Sequence, residues 1–422
     1  MQQFREIKGS EVKIHLHPGQ TRAADSEARF ICVLSGSQSG KTCFGPEWVY
    51  DEIQRINTQS GPPPSGQTYD FLIVTASFPL LNLKLLPEFL YTFKTLYNLG
   101  EYSKSDKTFL FHDGSWRIIF GSADNADSLE SATAKGAWLD EAGQKRFGRD
   151  SWDAVLRRLS INQGRALITT TIYLYDWLKY EVYDRALKGH HDYELIQFES
   201  IMNPAFPREE FEAAKERLPK WKFDMFYRGV YSKPAGMIYD AFDEDVCRIS
   251  RFPIPQEWPR YVGCDFGGVN TAAMWYAKNP ETQNIYAYRE YHRGGMTSKS
   301  HALEWLKLSE GEDVVLWCGG SKSEDQWRRE FRNAGIVIKT PSVSDVEVGI
   351  NRVYGYHAKN QLYIFDDLLG YLDEKGSYSR QLDDNNEPTE KIDDKEKYHR
   401  LDAERYVLSQ MSQGSRVAFG EV

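Results

Sequence analysis

The stretch "FICVLSGSQSGKTCFGPEW", residues 30–48, decides how the first half of the chain folds. An apolar run, FICVL, enters a small polar turn that ends in Gly40-Lys41-Thr42. A phosphate-cradling loop reads GxxxxGK[ST]. Its backbone N–H groups wrap the phosphates, the lysine reaches the terminal ones, and the hydroxyl holds Mg2+. Here Ser35 stands at the first glycine position and Gly36 follows one place late. The expected phosphate-binding segment is therefore Ser35, Gly36, Ser37, Gln38, Ser39, Gly40, Lys41 and Thr42.

Such a loop needs an acid pair on a second strand, and "GAWLDEA" (136–142) supplies Asp140-Glu141 at the end of an apolar run. In nucleotide hydrolysis the first acid holds the Mg2+ shell and the second polarises the attacking water. Alone, an acidic pair after a strand reads equally as a helix N-terminus; together with Gly-Lys-Thr it reads as an ATPase. Further apolar strands are expected at 69–77, 116–122, 166–172 and 194–200, with a helix over 207–229 and a flexible loop at 58–67. Strands this apolar are covered on both faces, as in a parallel sheet under helices.

At 422 residues the chain is too long for one core, so two domains are expected. The net charge of −9 excludes a uniformly basic nucleic-acid coat but not a local basic patch. The five cysteines are scattered and never form CxxC, which reads as core packing in a reducing compartment. No run approaches the roughly 18 apolar residues of a membrane span, so a soluble intracellular protein is expected. Domain boundaries are read at 1–235, a Pro-containing linker at 236–258, and a second α/β alternation at 259–422. A strongly polar segment, 373–399, reads as a loop. In "RYVGCDFGG", Asp265 interrupts an apolar strand. A buried unpaired carboxylate costs several kcal/mol, so it calls for a metal or a strong donor.

In order along the chain, "HPGQTR", "SGSQSGKT", "IIFGSADNADSLESATAKGAWLDEA", "ALITTTIYLYDWL" and "SIMNPAFP" resemble the large terminase subunit of tailed double-stranded DNA bacteriophages. The resemblance implies a P-loop NTPase parallel-sheet domain followed by an RNase H-like α/β nuclease domain. It implies that Gln20 contacts adenine and that Thr169, Thr170 and Thr171 couple hydrolysis to movement. Many members carry an arginine in the phosphate loop where this chain has Ser37, which leaves Arg149, Arg157 and Arg158 as candidates for that charge. Asp402 in "HRLDAERY" matches the terminal acid of the nuclease, beside Asp265. The middle acid is missing: Gly319-Gly320 stand there, and Glu324 or Asp325, or else Glu290, is the candidate replacement, with Asp345 and Glu347 as weaker ones.

The implied cofactors are ATP and Mg2+, with Mn2+ able to substitute in the nuclease site. The implied partners are double-stranded DNA, the portal protein, a small terminase subunit and further copies in a homo-oligomeric ring on the procapsid. No membrane partner is expected. The implied location is the host cell cytoplasm, transiently on the procapsid, with absence from the mature virion. Two rival expectations are a helicase-like, transposase or repair ATPase with an RNase H-like domain, and a nucleotide-gated scaffold with an inactive nuclease domain.

Overall fold

The computed structural model describes residues 4–9, 11–124, 133–173, 175–233, 235–267, 269–383 and 387–411. Residues 125–132 of the quoted "IIFGSADNADSLESATAKGAWLDEA" lie outside the described residues. The chain divides into two compact units, Met1–Pro234 and Ala235–Val422.

In the first unit, β1 (Arg5–Lys8) and β2 (Glu11–Ile14) form an antiparallel hairpin ahead of helix α1 (Pro18–Asp25). The main strands are β3 (Phe30–Ser35), β4 (Tyr69–Thr75), β5 (Gly100–Ser103), β6 (Thr108–Phe111), β7 (Trp116–Ser122), β8 (Ala134–Asp140), β9 (Arg165–Thr170) and β10 (Tyr193–Phe198). They form one eight-stranded sheet in the order β10-β3-β9-β8-β4-β7-β6-β5. It is parallel from β10 to β7, with β6 and β5 added antiparallel at one edge.

Strict alternation fills the two faces. Ile31, Val33, Ile73, Trp138 and Leu167 join one apolar cluster with Phe44, Trp48 and Ile53 of helix α2 (Lys41–Ser60). Their neighbours Cys32, Leu34, Val74, Leu139 and Ile168 join the other, with Trp152 and Val155 of helix α3 (Arg149–Leu159). Side chains that alternate between two covered faces are what make the strands read as unbroken apolar runs. The helix expected over 207–229 is present but interrupted, with Arg208–Arg217 and Lys220–Phe223 separated at Leu218-Pro219.

The second unit carries β11 (Arg248–Ile249), β12 (Arg260–Asp265), β13 (Asn270–Lys278), β14 (Ile285–Gly294), β15 (Val314–Gly319), β16 (Ile338–Lys339) and β17 (Leu362–Phe365). Their order is β11-β17-β14-β13-β12-β15-β16. β13 lies between β12 and β14 and runs antiparallel to both, and β15 and β16 continue the sheet parallel to β12. This is the RNase H-like α/β arrangement expected of the second half. Helix α4 (Leu369–Ser377) precedes a small hairpin of β18 (Arg380–Leu382) and β19 (Pro388–Ile392). The last described helix, α5 (His399–Met411), packs on β12, β13 and β15.

Two segments differ from expectation. Residues 236–258 are tied into the second unit rather than free: β11 pairs with β17, and Ile238 N donates to Tyr378 O at 2.9 Å. Ile238, Tyr239, Phe242 and Cys247 are buried there, at spacings too irregular to give a periodic signal. The 373–399 segment holds the end of α4 and both strands of the hairpin instead of a loop. Its polarity misleads because the charges answer one another inside: buried Lys375 Nζ donates to Glu404 Oε1 at 2.8 Å and Arg400 Nη1 to Glu374 Oε1 at 2.7 Å.

Candidate nucleotide site and acidic cluster

The phosphate loop leaves β3 at Ser35, which is fully buried with its Oγ 2.7 Å from Ser39 Oγ. Gly36 comes next, and any Cβ there would overlap Ser200 Oγ and the Tyr227 carbonyl. The crowded position is therefore 36 and not 35, which explains the late glycine. Ser37 N donates to Phe226 O at 2.7 Å, and Gly40, at φ 91°, opens α2.

Lys41 is buried and folds back on the loop. Its Nζ donates to Gly36 O at 2.9 Å, Thr171 Oγ1 at 3.1 Å and Ser35 O at 3.3 Å. Burial pulls its ammonium below the usual lysine range, against the attraction of Glu141 and Asp140.

Sheet order brings the acids to this loop, because β9 lies between β3 and β8, pairing Thr170 with Leu34 and Thr169 with Asp140. Thr169 Oγ1 donates to Asp140 Oδ1 at 2.7 Å and accepts from Trp138 Nε1 at 2.9 Å. Burial first, and the Glu141 charge second, lift the Asp140 carboxyl to about 7 despite that hydrogen bond. Glu141 holds a left-handed backbone at φ 56°, and Tyr173 OH donates to its Oε2 at 3.2 Å. Thr170 Oγ1 accepts from Gly143 N at 2.9 Å.

Lys41, Thr42 and Glu141 line one cavity of about 280 Å3, together with Lys84 and Asn203. An adjoining cavity of about 580 Å3 shares Gly40, Cys43 and Asn203 and is lined further by Phe4, His17 and Gln20. Gln20 faces that cavity, but its amide is engaged: Nε2 donates to Gly40 O at 2.9 Å and Oε1 accepts from His17 N at 3.2 Å.

His17 escaped the sequence reading. Its Nδ1 accepts from Gly19 N at 3.2 Å, so Nε2 carries the proton donated to Ser39 O at 3.0 Å. It thus caps α1 and braces the loop together; the only signal was its place before Pro18 at a helix start. Lys84 was also missed, since an exposed lysine in a helical segment carries no signal. Arg149 is held by Glu181 Oε1 at 3.2 Å, and none of Arg149, Arg157 and Arg158 is among the described residues lining the 280 Å3 cavity.

In the second unit, Asp265 ends β12 and is buried. His399 Nδ1, at the start of α5, donates to its Oδ2 at 2.9 Å. Burial lifts the Asp265 carboxyl to about 6; Asp402 and Glu324 push the same way, while the His399 bond opposes them. The bond to Asp265 chiefly raises His399, and burial chiefly lowers His292, to about 4, where its ring stacks on His399 at 5.4 Å. Arg405 Nη2 donates to Asp402 Oδ1 at 2.7 Å, and Glu324 Oε2 accepts from Ser321 N.

Glu290 is committed elsewhere. Gly370 N donates to its Oε1 at 3.0 Å, and Arg400 Nε lies 2.7 Å from its Oε2, an ion-pair contact whose angle makes no hydrogen bond. Asp325 pairs with Arg328, Asp345 caps a helix at Val348 N, and Glu347 pairs with Arg380. No acid fits at Gly319: a Cβ there would overlap the Cys264 carbonyl, and Arg328 Nη1 donates to Gly319 O at 3.0 Å.

Hard oxygen donors suit Mg2+, and Thr42 with buried Asp140 provides them in the first unit. Asp265, Asp402 and Glu324 fit by donor kind and by their surplus of negative charge. Among the described residues, however, no three His, Cys, Asp or Glu side chains stand close enough to hold an ion. No described helix is long and apolar enough to cross a membrane.

No family model matches the sequence, and no curated protein matches it either. Among solved structures, the HK97 bacteriophage large terminase is 12% identical with TM-score 0.51, over 94% of this chain and 95% of that one. The large terminase of the thermophilic bacteriophage D6E in complex with ADP is 18% identical with TM-score 0.45, over 96% and 100%. The P22 large terminase nuclease domain is 16% identical with TM-score 0.33, over 44% of this chain and 100% of that domain. At 0.51 over nearly the whole of both chains, the HK97 match shows that this chain shares the fold of that large terminase, a P-loop-type parallel sheet followed by an RNase H-like sheet.

Proposed function

We propose that the chain is the large subunit of a phage DNA-packaging motor, hydrolysing ATP to translocate double-stranded DNA into a procapsid and cutting concatemeric DNA with a metal-dependent endonuclease. The observation that carries this reading is the single cavity lined by Lys41, Thr42 and Glu141 at the C-terminal ends of parallel strands. That end of an open parallel sheet is where nucleotides bind.

In this reading the loop N–H groups and Lys41 hold the triphosphate, and the larger cavity behind Gln20 takes the base and sugar. Asp140 and the Thr42 hydroxyl would hold Mg2+, which neutralises phosphate charge when bound. Glu141 orients the attacking water, and Tyr173 fixes the Glu141 carboxylate. Thr169, Thr170 and Thr171 tie the hydrolytic groups to the rest of the sheet. The ATPase domain is taken as residues 1–235 and the nuclease as 259–422. In the nuclease, Asp265 and Asp402 would be the carboxylates at the catalytic ions, with Glu324, whose charge reaches Asp265, as the further acid that cation binding would draw in; the chemistry those ions supply is water activation and stabilisation of the leaving 3′ oxygen. His399 orients Asp265, and Arg405 orients Asp402. The portal, a small terminase subunit and sister copies in a ring complete the proposed assembly, in the host cytoplasm.

Lys41→Ala tests the motor: ATP turnover should disappear, and unchanged turnover removes the reading. Asp265→Asn tests the nuclease: Mg2+- or Mn2+-dependent plasmid nicking should vanish while ATP turnover continues. A second reading, a nucleotide-driven subunit with an inactive nuclease, is favoured by the lack of an acid at Gly319-Gly320, where Arg328 Nη1 donates to the Gly319 carbonyl. Wild-type protein that never nicks DNA under either metal selects it.

A further inference from the structure

The phosphate loop carries Ser37 where an arginine would oppose the charge that builds on the transferred phosphoryl group. β4 ends at Thr75, directly opposite Asp140 in the parallel register, so the chain leaves the sheet beside the acid pair. Thr75 Oγ1 donates to Ser77 O at 2.9 Å and fixes the turn into a helical run over 78–96. That run opens into a wide π-type turn at Leu81–Leu85, which gives the ring of Pro87 room at the carbonyl four residues back. Wide turns of this kind recur at functional sites. This one carries Lys84, exposed, to the wall of the cavity that Lys41, Thr42 and Glu141 share.

Lys84 and Lys41 are the cations among the described residues lining that cavity. Lys41 is occupied by the Gly36 and Ser35 carbonyls and Thr171, whereas Lys84 has no hydrogen-bond or ion-pair partner among the described residues. Its charge is felt by both Lys41 and Asp140, which sets it within electrostatic reach of the two. Lys84 therefore presents an uncommitted positive charge to the cavity that Lys41, Thr42 and Glu141 line.

We propose that Lys84 is the second catalytic cation of this site: its ammonium contacts the γ-phosphoryl oxygens in the transition state and replaces the absent loop arginine. This rests on the ATPase reading above. As the water oxygen bonds to the γ-phosphorus, the bond to the β–γ bridging oxygen breaks. ADP and inorganic phosphate leave, and the proton lost by the water passes through Glu141 to solvent. Lys84 opposes the negative charge on the equatorial oxygens during this exchange, so it acts more on turnover than on nucleotide affinity.

The test uses the full chain with Lys84→Ala, Lys84→Arg and Lys41→Ala, reading steady-state ATP turnover and the affinity for a fluorescent ADP. For Lys84→Ala, kcat should fall about 10²–10³-fold, the loss seen when one charge-stabilising donor is removed, with ADP affinity within about threefold of wild type. Lys84→Arg should recover turnover to within about tenfold. Retained ADP binding also reports that each Lys84 variant is folded. If Lys84→Ala turns over within about threefold of wild type while Lys41→Ala is dead, the Lys84 assignment falls and the ATPase reading stands. A Lys84→Ala loss that falls on the KM for ATP with kcat unchanged also overturns it, because ground-state binding is then its role. If Lys41→Ala turns over normally, the ATPase reading itself fails and takes the Lys84 assignment with it.

Discussion

Thr169→Val keeps the shape of a buried side chain and removes one hydroxyl that serves two partners, Asp140 at 2.7 Å and Trp138 Nε1 at 2.9 Å. Asp140 stands at about 7 because burial and Glu141 outweigh the Thr169 bond. A hydrogen bond to a charged group is worth about 1.5–3 kcal/mol. At about 1.36 kcal/mol per unit, its loss raises the Asp140 carboxyl by about 1–2 pH units. The sign is fixed by the direction of the shift. A carboxyl held above its ordinary value must release a proton before it takes a cation, so Mg2+-dependent nucleotide affinity rises with pH through the folded value and levels off above it. In wild type that rise centres near the 7 of Asp140. In Thr169→Val it should centre at about 8–9. The assay is fluorescent-ADP affinity against pH, in Mg2+ and again in EDTA, where the dependence should disappear. The Trp138 N–H left without an acceptor costs about 1–3 kcal/mol of stability and should shift melting at every pH. A rise centred at the same pH in both proteins would refute the Thr169–Asp140 link. Wild-type affinity that is flat across the neutral range would refute Asp140 as the cation's carboxylate.

Gln20→Ala should weaken nucleotide binding about fivefold, the worth of one neutral hydrogen bond, because Gly40 loses its brace; unchanged affinity in a binding titration would refute that role. Glu290→Gln should leave metal-dependent nicking within about threefold of wild type yet lower stability by about 1–3 kcal/mol, since Arg400 keeps only Glu374; Glu324→Gln should do the reverse, and the opposite pattern in paired nicking and melting assays would return Glu290 to the ligand set. Gly319→Asp, which restores an acid at the vacant position, should cost about 1–3 kcal/mol or more instead of improving cleavage, because its Cβ meets the Cys264 carbonyl; a fully stable variant that cuts faster would overturn the steric argument.

The groups legible in the sequence were those whose chemistry is local. Gly40-Lys41-Thr42 and the Asp140-Glu141 pair each follow an apolar strand, and burial of both sheet faces made those strands plain. What the sequence withheld depends on pairing between distant strands. Thr169 to Thr171 are ordinary β-branched strand residues until β9 is inserted between β3 and β8. Glu290 and Glu324 were indistinguishable because the cation that claims Glu290, Arg400, arrives on a helix far along the chain. The shifted glycine needed the crowding by Ser200 and Tyr227 to make sense. Polar 373–399 was misread because composition records charges but not that Lys375, Glu404, Glu374 and Arg400 face one another inside.

The end of β9 makes the nucleotide site one mechanical unit. Three consecutive threonines face three different parts of the chemistry: Thr169 holds Asp140, Thr170 accepts from Gly143 behind Glu141, and Thr171 accepts from Lys41. A second set of contacts returns from the loop to the same acid. Ser37 N donates to Phe226 O, the Phe226 ring packs against Tyr173 at 5.6 Å, and the Tyr173 hydroxyl donates to Glu141. A phosphate that draws the Lys41 ammonium to itself must take it from Thr171 and the Gly36 carbonyl, which changes both ends of this circuit together. Buried donors and acceptors cannot be left unmatched without costing about 1–3 kcal/mol each. On the proposed function, the strand end and the loop would therefore settle into a new mutual arrangement whenever nucleotide arrives or leaves. Under the proposed function, that exchange of partners, rather than any property of one threonine, would be the physical means by which occupancy of this pocket reaches the rest of the sheet.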